Sequence, residues 1–158
     1  YASNRHGRDR CFHLVDLIAI NGYPGWIWPE ARWPQRPRDL IAPWLEAMIA
    51  TIDGDPALAG KPLLLSEIGA CAFHGCHDLE EAQWSEEFQA AFLAEACRAV
   101  ATLPRLCGLA LWQFCDSRSH VDHAGVRCKP RGFNCAGLVD EYRRPKLSYQ
   151  AVRRAFTD

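Results

Sequence analysis

Three short runs of apolar residues limit what this chain can fold into: Leu14 to Ile20, Pro62 to Leu65 and Leu109 to Phe114, with only Asp16 interrupting the first. A half-exposed strand alternates apolar and polar side chains. A run that is apolar at every position reads instead as a strand covered on both faces, the condition of a parallel sheet packed against helices. The runs start 48 and 47 residues apart (14 to 62, 62 to 109), and helical patterns fill the gaps. Leu40, Ile41, Trp44, Leu45, Met48, Ile49 and Ile52 recur at three- and four-residue steps, one face of a helix. Asp39 reads as its N-cap, and Pro43 fits only in its first turn. Gly54 and Gly60 punctuate the loop that follows. A second helix is predicted from Ser85, with Glu86 and Glu87 in the first turn, where carboxylates suit the helix dipole. Its buried face takes Phe88, Phe92, Ala96, Ala99 and Val100. A third follows Pro145 and carries Leu147, Tyr149, Val152 and Phe156. Strand and helix alternate three times, which implies right-handed βαβ crossovers in a parallel sheet. We read residues 1–158 as one unit without linker or low-complexity segment. The stretch from Asp116 to Glu141 is long and irregular, and a loop of that length usually carries function or flexibility.

Charge narrows the partners. Lys and Arg number 18 against 19 Asp and Glu, a net charge of -1, which gives no reason to expect nucleic acid or an anionic membrane. Arginines cluster at Arg5, Arg8, Arg10 and at Arg143, Arg144, Arg153, Arg154; these read as solvated faces. No apolar run approaches the roughly 20 residues that span a bilayer. No signal peptide is visible; the chain opens at Tyr1 without an initiator Met and reads as cut from something longer. There are eight cysteines, but a chain with this many apolar residues does not need disulfide staples. Cys97 and Cys107 fall in apolar stretches, where a free Cys acts as a small hydrophobe. Reduced thiols and a cytoplasmic setting are expected.

Each apolar run ends in a polar or aromatic cluster: Asn21-Gly22-Tyr23-Pro24-Gly25-Trp26, then Ser66-Glu67-Ile68-Gly69-Ala70, then Trp112-Gln113-Phe114-Cys115-Asp116. Sites in α/β sheets assemble at the carboxyl ends of the strands. Three neighbouring strands would therefore gather Asn21, Tyr23, Glu67, Trp112 and Asp116 around one pocket. Glu67 is the sharpest of these. A carboxylate directly after Leu63-Leu64-Leu65 is either paired at the rim, solvated or functional. If Tyr23 reaches it, a phenol hydrogen bond would hold it ionised and oriented, as a nucleophile requires. Trp112 is either a platform for a sugar ring or core filling. Trp26, Trp28 and Trp33 lie in a Pro-rich loop and either wall the cleft or pack beneath the loop. Cys71, His74, Cys76 and His77 are soft ligands within seven residues, yet they lack the paired spacings of a zinc site. No metal and no cofactor is expected.

These motifs resemble glycoside hydrolase family 2. Asp16 to Trp26 is similar to the sixth strand and following loop of its catalytic barrel, and Lys61 to Ala70, followed by Gly75-Cys76-His77, to the seventh strand with the nucleophile. Ser85 to Gln89 looks like the start of the seventh helix. Gly108 to Asp116 is similar to the eighth strand, and Asn134 to Lys146 to the approach to the last helix. The resemblance implies a partial (β/α)8 barrel, strands 6 to 8 with their helices, and retaining hydrolysis of β-glycosides through two carboxyl groups. By position Glu67 would be the nucleophile and Tyr23 would orient it, with Asn21, His77, Trp112, Asp116 and Asn134 lining the sugar subsite. The family's acid/base glutamate ends the fourth strand. Tyr1-Ala2-Ser3-Asn4 falls at the end of the fifth, so that group has no counterpart here, and the chain alone is expected to be inactive. Glucuronidases of the family carry an Asn-x-Lys pair that holds the substrate carboxylate; here Asn134 is followed by Cys135 and Ala136. Lys129 or Arg131 could stand in. The missing lysine favours a neutral sugar such as galactose. The partner implied is a carbohydrate, and a homo-oligomeric parent is left open. Two rival readings stand beside this one: a non-catalytic carbohydrate-binding remnant of a barrel, and a Cys/His metal module.

Overall fold

A computed structural model of the chain describes residues 2–3, 9–26, 36–119 and 129–157. Its centre is a four-stranded, all-parallel sheet: β1 (Ala2–Ser3), β2 (Ile18–Asn21), β3 (Leu63–Ile68) and β4 (Leu106–Leu111), paired in that order. Helix α1 (Pro37–Asp53) connects β2 to β3, α2 (Glu86–Thr102) connects β3 to β4, and α3 (Leu147–Thr157) closes the chain. Two short strands, β5 (Ser117–Arg118) and β6 (Phe133–Asn134), form an antiparallel ribbon beyond β4. The alternation read from the sequence is the alternation found.

The ends of the elements differ from expectation, each for a local reason. Leu14 belongs to a 3-10 turn over Arg10–Leu14 rather than to a strand and is 84 % exposed. The turn opens where the Asp9 carboxylate accepts the Cys11 N–H, so the strand starts only at Ile18. The third strand begins at Leu106, three residues before the apolar run, and ends before Trp112. Beyond that point the backbone bonds change partner: Gln113 N–H donates to Ala136 O and Leu138 N–H to Gln113 O. Helix α1 starts at Pro37 with Arg36 as its cap, and Asp39 sits in the first turn with its N–H already donating to Arg36 O. Pro43 lies in the helix interior, exposed. Ser85 caps α2 as read, its hydroxyl accepting from Phe88 N–H at 3.1 Å. The last helix starts at Leu147, not Pro145, because Pro145 bridges to Val139 and Lys146 N–H donates to Leu138 O.

The core is continuous. Ile18, Ile20, Leu63, Leu65 and Ile68 from the sheet pack with Ile41, Leu45, Met48 and Ile52 of α1 and with Phe88, Phe92, Leu93 and Ala96 of α2. Leu64, of the opposite parity, is only partly buried, and in β4 only Leu106 is fully buried. In β2, Ile18, Ala19 and Ile20 are all buried, as the sequence pattern expects, whereas β3 and β4 are not covered on both faces within this chain.

One close approach fixes how the ends of β3 and β4 lie together. Trp112 N–H donates to Ile68 O at 2.9 Å, and a β-carbon added at Gly69 would fall 1.9 Å from Trp112 O. Backbone cannot yield that distance cheaply. The Gly69→Ala variant is expected to lose about 1–3 kcal/mol of stability, seen as a lower urea midpoint at unchanged slope. An unchanged midpoint would show that the two strand ends are not locked together.

Candidate active site

The parallel register brings the carboxyl ends of β2 and β3 side by side. Asn21 stands opposite Glu67, Gly22 N–H donates to Glu67 O at 2.9 Å, and the loop from Gly22 turns back over the strand end. The turn uses Gly25 at φ 77°, a conformation side chains resist. Tyr23 thereby reaches Glu67, and its phenol donates a hydrogen bond to Oε2. Partial burial and the neighbouring Glu67 carboxylate push the Tyr23 pKa well above its ordinary value. The phenol thus stays a proton donor at every working pH. Trp26 stacks against Tyr23, ring centroids 4.8 Å apart and tilted by 55°. Beside them Ser66 Oγ donates to Asn21 Oδ1 at 2.6 Å. Glu67 is partly exposed, so the group is fixed on one side and open on the other.

Trp112 follows β4 directly, joined through its N–H to the residue after Glu67, and is 37 % exposed. The remaining residues assigned to the sugar subsite are engaged by partners of their own. His77 is exposed and pairs through Nδ1 with Glu87 Oε1 at 2.8 Å; the hydrogen bond it donates to that carboxylate raises its pKa. Asp116 is buried. Its Oδ1 accepts from Lys146 Nζ at 2.8 Å and from Gly137 N–H at 2.8 Å. Burial pushes its carboxyl up against the pull of that ammonium. Asn134 Oδ1 accepts from Ala136 N–H at 3.3 Å, a turn-forming bond within its own loop. Trp28 and Trp33 fall outside the described residues. Lys129 lies over Trp26, its ammonium 5.3 Å from the ring centroid, and Arg131 lies 4.9 Å from the Phe73 ring. Among the described residues no three His, Cys, Asp or Glu converge to hold a metal, and no helix is long and apolar enough to cross a membrane.

The chain matches no family model. Over 98 % of its length it superposes on a family 2 β-galacturonidase from Eisenbergiella tayi bound to galacturonate, at 35 % identity and a TM-score of 0.81, spanning 26 % of that chain. It is 27 % identical, over 139 residues, to a β-glucuronidase from Streptococcus agalactiae, covering 88 % of this chain and 21 % of the relative. A β-glucuronidase from Bifidobacterium dentium shares the fold at 23 % identity and a TM-score of 0.76, with 99 % of this chain and 23 % of that one aligned. The chain is a relative of the family 2 glycoside hydrolases. It spans about a quarter of the Eisenbergiella enzyme and about a fifth of the streptococcal one. The preference for a neutral sugar, drawn from the missing lysine after Asn134, finds no support in these family 2 relatives, whose names are those of uronidases.

Two buried polar residues behind the site are singled out by no motif in the sequence. Lys146 is 1 % exposed and Gln89 not at all. Their only signal was position: a lysine wedged between Pro145 and an apolar helix face, and a glutamine on the core side of α2.

Two thiols also lie beneath the site. Cys71 and Cys135 are buried in one small cluster, and burial pushes their pKa values up to about 12 and about 11. Cys107, by contrast, is exposed. The thiolate is the reactive form, so at pH 8.5 iodoacetamide should label Cys107 within minutes and leave Cys71 and Cys135 untouched until the protein unfolds. Peptide mass mapping checks this, and rapid labelling of Cys71 in the folded protein would contradict the burial described.

Proposed function

We propose that this chain is the nucleophile-bearing segment of a retaining β-glycoside hydrolase, that its four parallel strands are part of an eight-stranded barrel, and that its substrates are β-hexuronides. The observation that carries the reading is the hydrogen bond from Tyr23 to Glu67 at the carboxyl end of β3. A nucleophilic carboxylate must be ionised and aimed, and a phenol donor on one oxygen does both while leaving the other free to attack the anomeric carbon. The half-exposed indole of Trp112 offers a face to the apolar side of a pyranose. Asn21, held by Ser66, is placed to present its amide N–H groups to a sugar hydroxyl. Asn134 belongs to the same rim. The second carboxyl group, about 5 Å from Glu67 in a retaining pair, comes from strands outside this sequence.

The uronide preference rests on the names of the relatives and on one local feature. Lys129 sits beside Trp26, which stacks on Tyr23, and among the described residues no carboxylate pairs with it. An ammonium at the edge of the site suits a substrate carboxylate.

The test uses this segment together with the rest of its domain, either in the natural polypeptide or in the Eisenbergiella tayi enzyme with its matching segment exchanged for this one. Aryl β-galacturonide and β-glucuronide should turn over faster than aryl β-galactoside. Glu67→Gln should lower kcat by at least about 10³-fold, and Tyr23→Phe by about 10- to 100-fold. Full activity in Glu67→Gln would remove that residue from the chemistry. Sugar binding without turnover in the complete domain would favour a carbohydrate-binding role instead.

A further inference from the structure

Lys146 is an unusual residue to find inside a protein. It is a charged side chain with no solvent-exposed surface. An ammonium has three N–H donors and no acceptor, and here all three are used. Nζ donates to Ala72 O at 2.8 Å, to Asp116 Oδ1 at 2.8 Å and to Cys135 O at 2.9 Å. These acceptors come from three different segments. Ala72 lies in the loop that leaves β3, five residues beyond Glu67. Asp116 lies in the run that leaves β4, four residues beyond Trp112. Cys135 follows β6, next to Asn134. Backbone bonds join these segments in pairs: Ala72 N–H meets Cys135 O, Gln113 N–H meets Ala136 O and Asp116 N–H meets Val139 O. Among the described side chains, the Lys146 ammonium alone bonds to all three. Asp116 strengthens the joint by also accepting from Gly137 N–H. The approach needs a glycine there, because an added β-carbon at Gly137 would fall 2.6 Å from Asp116 Oδ1.

The joint is anchored from behind. Gln89 of α2 donates to Ala70 O at 2.9 Å and to Gly137 O at 3.1 Å, and accepts from Ser148 Oγ at 2.8 Å. Glu86 accepts from Gly75 N–H and Leu147 N–H, both at 2.7 Å. Two buried side chains of α2 thus hold the loop after β3 and the start of α3 on either side of Lys146. The turn before it is fixed by Asp140, whose buried carboxylate accepts from the N–H groups of Tyr142 and Arg144.

We propose that Lys146, with Asp116 as its counter-ion, is the positioning residue of the Glu67 site. It sets the relative placement of the segments that leave β3 beyond Glu67, leave β4 beyond Trp112 and follow Asn134, without touching substrate. This rests on the glycosidase reading above. It reassigns Asp116 from the sugar subsite to the support beneath it. Loop placement matters because a reacting group displaced by about 1 Å can cost 10²-fold in rate.

The experiment uses the same complete domain and the same aryl β-hexuronides. The unsubstituted protein must turn over substrate and Glu67→Gln must not; if the unsubstituted protein is inactive, the glycosidase reading fails and this inference falls with it. Given activity, Lys146→Met keeps the chain's bulk and removes the ammonium. Per folded molecule, counted by near-ultraviolet circular dichroism, kcat should fall about 10- to 100-fold while KM stays within about threefold. Asp116→Asn keeps the shape and the acceptor for Gly137 but weakens the hold on Lys146, and kcat should fall in the same sense. A residue that only stabilises the fold would lower the melting temperature and leave kcat per folded molecule unchanged; that result in either variant overturns the proposal. Should Lys146→Met fail to fold, Asp116→Asn decides by the same criterion.

Discussion

A charge with no water around it must be repaid by its neighbours. The cost of burying an ammonium is several kcal/mol even after relaxation, and a lone hydrogen bond to a neutral carbonyl returns about 1 kcal/mol. Lys146 survives inside because its surroundings are complete: one carboxylate and two carbonyls for three protons. Such a group tolerates only one arrangement of its partners. If any of the three loops shifted, a donor or an acceptor would be left unpaired in a low-dielectric interior, where the penalty is largest. No buried side-chain polar atom among the described residues lacks a partner. The same argument extends to Gln89 and Glu86. The polar groups behind the site form a set in which each bond depends on the others being made.

The strand ends show why such a support is needed. β2, β3 and β4 are held in register by their own ladders, which the apolar runs specify. The functional residues sit at or beyond the last rungs. Glu67 is the penultimate residue of β3, Trp112 follows β4, and Tyr23 lies two residues past β2. Outside the ladder the backbone must find other partners. Here it finds them in pairs: Gly22 with Glu67, Trp112 with Ile68, Gln113 with Ala136. The phenol of Tyr23 then needs no search to reach Glu67, since the register Asn21 to Glu67 already puts the two strands' exits together.

Much of this was legible in the sequence, because it depends on patterns that are local or periodic. Continuous apolar runs mark the parallel strands, three- and four-residue steps mark α1 and α2, and Ser85 marks a cap. Glu67 stood out because a carboxylate after three leucines has few innocent explanations. The misreadings share a cause. Leu14, Trp112 and Phe114 are apolar yet lie outside the strands, since strand limits are set by the partner strand and by competing bonds such as Asp9 to Cys11 and Gln113 to Ala136. The family resemblance assigns His77 and Asp116 to the sugar subsite. Their side chains answer to Glu87 and to Lys146, ten and thirty residues further along, respectively. Contacts of that range leave no periodic trace. Lys146 itself reads as an ordinary surface lysine until its three acceptors are seen.

The departure after Asn134 also takes a physical meaning from the structure. Cys135 and Ala136 are both buried, at 1 % exposure, and Cys135 O accepts from both Lys146 Nζ and Ala72 N–H. Gln113 N–H closes on Ala136 O. With alanine at position 136, this loop offers no cation to a ligand from there. Among the described residues, the cationic groups over the aromatic wall of the site include Lys129, over Trp26, and Arg131, over Phe73 and Phe133. Arg131 is already committed to Glu141 at 3.0 Å; Lys129 is not tied to a carboxylate among the described residues. On the proposed reading, the charge that meets a hexuronate would therefore enter from the Lys129 side, stacked on the indole that backs Tyr23. An ammonium held by a ring face keeps most of its hydrogen-bonding capacity, which is what a carboxylate ligand would use.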